Sequence, residues 1–178
     1  MVLSEAKELF RQLLKQAFPE YMVVYSNQPR TPKPTIPLVL LTTGSINRPQ
    51  FPNDIIDDGV PVSHYLTRLP SIVDLFTNGS AVLDNTGSAV AYEDSSSEEV
   101  LKMNDFLNSW ACVNWCDAHN VSILIESDVQ NLSAVLTDSN YAYRSRQEVL
   151  FYFTQDTAQT IGDQHFGSFS KANIEGSY

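Results

Sequence analysis

Residues 141–154, Tyr-Ala-Tyr-Arg-Ser-Arg-Gln-Glu-Val-Leu-Phe-Tyr-Phe-Thr, constrain the fold more than any other stretch of the chain. Aromatic and β-branched side chains fit a pleated, half-buried surface, so the segment reads as a strand. Alternate residues divide into two sets. Tyr141, Tyr143, Ser145, Gln147, Val149, Phe151 and Phe153 become strongly apolar toward the C-terminal end. Ala142, Arg144, Arg146, Glu148, Leu150, Tyr152 and Thr154 carry three charges that require water or partners. Leu150 and Tyr152 make the far end of this second set apolar too, so both faces should be covered there. The expectation is a long central strand whose N-terminal half projects toward solvent or a neighbouring subunit.

The rest of the chain supplies layers for such a strand. With 178 residues and 43% hydrophobic content, it can build one ordinary core with arms. Residues 4–18 place Ala6, Leu9, Phe10, Leu13, Leu14 and Ala17 on one stripe, an amphipathic helix with Ser4 as N-cap and Pro19 as its stop. Residues 21–25 read as a short strand. Pro29, Pro32, Pro34 and Pro37 make residues 26–37 an extended connection. Residues 38–43 are nearly all apolar, as in a strand covered on both faces. Residues 44–59 read as a long surface loop. Residues 60–77 read as a strand interrupted at Pro70, with a bulge there to reconcile two apolar registers.

Asn78-Gly79 and Asp84-Asn85-Thr86-Gly87 frame a small hairpin insert around residues 80–92. A second helix should open with a capping box, Ser95 with Glu98 or Ser96 with Glu99, and end near residues 118–120. Its stripe is Val100, Met103, Phe106, Leu107, Trp110 and Val113. Residues 121–126 form a strand and residues 128–140 a polar turn before the central strand. Residues 1–162 thus make one domain. Residues 163–178 form a C-terminal arm, with residues 165–174 able to add a last strand. The class is α+β: a mostly antiparallel sheet with two amphipathic helices packed on one face, plus long loops and that arm.

Charge and motif content narrow the function. A formal net charge of -10 argues against gripping nucleic acid, which needs Lys and Arg to displace counterions. No apolar run approaches the roughly 20 residues needed to span a bilayer. The N-terminal residues lack the basic start and apolar block of a signal peptide, so the chain is expected to work in the cytosol or leave it by another route. Cys112, Cys116, Asp117 and His119 form the one local ligand-like cluster, and no second pair completes a zinc site; core-side thiols are the better reading. His64 and His165 stand beside no nucleophile motif. Asp54, Asp57 and Asp58, and Glu93, Asp94, Glu98 and Glu99, lack the spacing of a calcium loop. No phosphate-cradling glycine loop and no dinucleotide fingerprint occur. No catalytic, cofactor or metal residue is therefore assigned. Arg144, Arg146 and Glu148 are the interface candidates. Two arginines on one strand face suit either a cross-strand salt bridge or an inter-subunit pair. Charge reversal at either arginine is expected to impair assembly and leave the subunit folded.

Several phrases in this order resemble a known family: the opening helix, Tyr-Met-Val-Val-Tyr-Ser-Asn-Gln-Pro-Arg, Pro-Leu-Val-Leu-Leu, Val-Asp-Leu-Phe, Leu-Asn-Ser-Trp, Val-Gln-Asn-Leu-Ser-Ala-Val-Leu, the segment 141–153, and a closing Ile-Glu-Gly. The pattern resembles the bacteriophage neck or tail terminator (head-tail joining) proteins. The resemblance covers nearly the whole chain, and the insert at residues 80–92 departs from the family's compact pattern. It implies a non-enzymatic virion protein without cofactors, assembled in the host cytoplasm. Its partners would be copies of itself in a ring, commonly a hexamer, a connector or adaptor protein, and the tail tube or sheath. DNA would pass through the channel without specific binding, and no membrane would be involved. The rivals are a small hydrolase or metal-dependent enzyme, and a monomeric module that adds a peptide strand to its sheet.

Overall fold

A computed structural model describes residues 1–26, 35–49, 51–57, 60–137 and 140–158. The expected C-terminal arm, the strand expected at residues 165–174, and most of the proline-rich connection lie outside these residues.

The fold is α+β, as the sequence pattern implies, but with three described helices instead of two. Helix α1 (Leu3–Ala17) buries Ala6, Phe10, Leu13 and Leu14. It begins one residue before Ser4, which sits inside it. The Glu5 carboxylate provides the cap, accepting the Val2 N–H at 3.0 Å. At the other end Lys15 donates to the carbonyls of Pro19 and Tyr21, where positive charge suits the helix terminus.

The expected second helix is two: α2 (Ser96–Leu107) and α3 (Trp110–Ala118). Ser109 breaks the run because its hydroxyl accepts the Cys112 N–H and starts a new helix. The buried stripe shifts with the break. Cys112 and Cys116 are buried, while Trp110 and Val113, expected inside, are exposed. Neither expected capping box forms at α2. Asp94 caps instead, accepting both the N–H and hydroxyl of Ser96.

Strands β1 (Met22–Tyr25), β2 (Leu38–Thr43), β4 (Val60–Thr77), β10 (Asn140–Ala158) and β7 (Val121–Ile125) follow in that order across one sheet. β1 and β2 are parallel, and the other pairs are antiparallel. Strand β3 (Asn53–Asp57) joins β4 within the region expected to be loop. Strands β8 (Gln130–Asn131) and β9 (Ala134–Thr137) join β10 within the expected polar turn. These short segments carry no alternating signature of their own and are held by the ladders of longer strands. The insert forms a separate hairpin, β5 (Ser80–Leu83) with β6 (Ala89–Glu93).

No bulge occurs at Pro70. β4 and β10 keep one register from Thr77 opposite Tyr143 to Val62 opposite Ala158. The Pro70 carbonyl accepts from the Gly44 N–H just beyond the end of β2. A strand residue points its N–H and C=O to the same side, so the donor proline lacks would have faced that strand end, leaving the β10 ladder intact.

The alternation of β10 holds. Ser145, Gln147, Val149, Phe151 and Phe153 are buried under the helices. Phe10 of α1 meets Phe151 with ring centroids 5.2 Å apart, and Asn104 of α2 donates to Gln147. The core lies between this face and the three helices. Among the described residues no helix covers the opposite face.

Candidate functional site

That opposite face carries the sequence-predicted arginines. Strand geometry puts Arg144, Arg146 and Glu148 on one side of β10. Register then sets Arg146 directly opposite Asp74 of β4, and Leu40 of β2 opposite Asp74 on its other flank. Arg146 donates from Nε to Asp74 Oδ1 at 2.9 Å and from Nη2 to Oδ2 at 3.1 Å. Arg144 donates from Nε and Nη2 to Oδ1 at 3.1 and 2.9 Å, with its guanidinium 5.2 Å from the Phe76 ring centroid. The Asp74 side chain is 3% exposed and each arginine 30%. One buried carboxylate thus holds two cations at the sheet surface. The Asp74 hydrogen bond also raises the pKa of Arg146 above its ordinary value. Glu148 is half-buried, and its backbone is fixed by the Ser127 hydroxyl and the Glu126 N–H.

Behind the arginines, a polar network fixes the same length of β10. Ser145 shares its hydroxyl with Ser96 and Ser97 at the start of α2. Gln147 bridges Asn104 and the Ser127 carbonyl. Asp94 accepts from Ser96, Asn131 and Ser133. Burial pushes the Asp94 carboxyl up, but donation from Ser133, Ser96 and Asn131 outweighs it and leaves the pKa lowered. The cations therefore project from a strand locked on its other side, which gives the site a fixed shape.

Around the ion cluster the open face is apolar. Leu38, Leu150, Ile72 and Phe76 are buried or half-buried on it, while Leu66 and Leu124 are 58% and 54% exposed. An antiparallel sheet face in water usually alternates to polar residues, so this composition suits a covered surface.

Of the remaining candidates that the sequence raises, His64 and His119 line one open cavity with Met1, Asn120, Thr154 and Asp156, and the two cysteines lie outside it. Cys112 and Cys116 lie with sulfurs 4.0 Å apart inside the core. Burial pushes the Cys112 thiol up to about 12 and raises Cys116 as well, which removes the thiolate needed for nucleophilic or metal chemistry. His119 turns away, its Nδ1 2.7 Å from the Trp115 carbonyl and its ring stacked on that indole. His64 pairs with Asp156 at 2.6 Å, and the Ser63 hydroxyl donates to Asp54. Among the described residues no three His, Cys, Asp or Glu side chains gather as a metal site. His165 lies outside them.

Asp74 is the residue that sequence reasoning missed. Its signal was a lone acid within Ile-Val-Asp-Leu-Phe, where burial demands a cation, and the paired arginines were the available answer.

The sequence matches the family described as phage neck terminator protein over residues 5–173. The chain belongs to that family. No curated protein matches it. A neck terminator has a structural role in the neck or tail of the phage particle and meets other head and tail proteins there.

Proposed function

We propose that this terminator is the subunit of a ring, six copies around, that caps the tail tube at the head–tail junction and leaves a channel for DNA. It works by shape and by contact with copies of itself, and not by catalysis. Family membership across residues 5–173 carries this reading. The apolar sheet face, which no helix covers among the described residues, supports it, because a ring closes through unlike patches that each need a cover. The net charge of -10 supports it too, since a polyanionic subunit repels DNA sliding past. Arg144, Arg146 and Glu148 belong to the subunit contact in this reading. The outer partners are a connector or adaptor protein on the head side and the tube or sheath on the tail side.

Electron microscopy of the purified protein, with and without tail tubes, tests the ring directly. Rings, or caps on tube ends, are expected. Phage lacking the gene should yield heads and tails that fail to join; intact, correctly joined necks in that mutant would overturn the proposal.

A further inference from the structure

Among the described residues, the β5–β6 hairpin stands out from its own subunit as an arm. Both strands are exposed on both faces, with Val82 alone half-buried. Yet the sequences are Ser-Ala-Val-Leu and Ala-Val-Ala-Tyr-Glu, and Leu83, Val90 and Tyr92 are 59%, 64% and 58% exposed. A solitary two-stranded ribbon is marginal in water, and an apolar one is an aggregation hazard unless covered. The arm is nonetheless pre-shaped. At its tip, one Asp84 oxygen accepts the N–H groups of Thr86 and Ser88 and the Thr86 hydroxyl. At its base, the Tyr143 hydroxyl donates to the Tyr92 carbonyl.

We infer that this arm lies on the open sheet face of a neighbouring copy, across β7, β10 and β4. The inference rests on the self-assembly part of the proposed function. Two surfaces of one chain each need an apolar cover, and they are different patches, which is the condition for a head-to-tail contact. Residues 78–93 contain Asp84 and Glu93 and no Lys, Arg or His. Size fits too. The row Leu124, Leu150, Pro70 stands four residues along β4 from Asp74, about 13 Å, and strands of four or five residues reach about 15 Å. The apolar flank of the arm then rests on the leucine row.

Cross-linking decides it. Val90→Cys and Leu124→Cys variants are mixed and treated with a short bismaleimide, the buried native thiols serving as background in the wild type. Covalent dimers joined through positions 90 and 124 are expected. Val90→Cys mixed with Val113→Cys, an exposed position on the helical side, should give none. No link at 90–124, or an equal link at 90–113, overturns the inference. A Val90→Asp/Tyr92→Asp variant should weaken self-association at least tenfold; unchanged association also overturns it. Wild-type rings without the 90–124 link would remove the arm and keep the ring. Wild-type protein that stays monomeric even with tail tubes would remove both.

Discussion

Arg146 stands directly across the β4–β10 ladder from Asp74 and grips both of its carboxylate oxygens. Arg144 reaches the same carboxylate from the next position on that face. Because one acid serves two bases, each base backs up the other. Arg144→Ala and Arg146→Ala should each cost about 1–2 kcal/mol. The double variant leaves a buried, unpaired carboxylate and should cost roughly 3–5 kcal/mol, more than the two singles together. Urea midpoints at unchanged slope measure this; simple additivity would refute the sharing.

Charge reversal is harsher than the sequence suggested. Arg146→Glu sets a second carboxylate against a side chain that is 3% exposed. Unfolding of the subunit, and not merely failure to assemble, is the expected result. Circular dichroism alongside sedimentation separates the two; a folded variant that no longer associates would restore the simpler expectation.

Gly79 and Gly87 both have positive φ, 81° and 83°, but only one is hemmed in. A Cβ on Gly79 would meet the Glu93 carbonyl at 2.5 Å and the Tyr143 ring at 2.7 Å, whereas Gly87 faces open space. Gly87→Ala should cost about 1–2 kcal/mol of backbone strain. Gly79→Ala should cost more and loosen the arm at its base. Thermal melts give the order, and hydrogen exchange at the β5–β6 amides locates the loosening.

The buried thiols set an alkaline limit. Cys112 titrates near 12 in the fold against an ordinary value of 9. A raised acid stays neutral when folded and ionises first when unfolded, so its share of stability is intact below 9 and is lost as pH rises from 9 toward 12. Unfolding midpoints should fall across that window, and Cys112→Ala should flatten the fall. At pH 8 a thiol reagent should label native protein roughly a hundredfold or more slowly than unfolded protein.

What the sequence revealed and concealed follows from how local each signal is. The two faces of β10 were legible because period-two burial is written in the strand itself. The α1 stripe was legible for the same reason. Asp74 was not, since its partners lie about seventy residues away and pairing across strands needs the register. The helix break at Ser109 was hidden because apolar spacing continues through it. The bulge expected at Pro70 arose from assuming one polar face: Leu66 looks like a register change only if the open side must be hydrophilic. In the proposed assembly that side meets another surface.

β4 and β10 remain hydrogen-bonded along about 50 Å of continuous ladder. Ser145, Gln147 and Phe151 tie this ladder to the helical layer. A displacement at one end therefore passes to the other through the strand backbones as well as through the packed core.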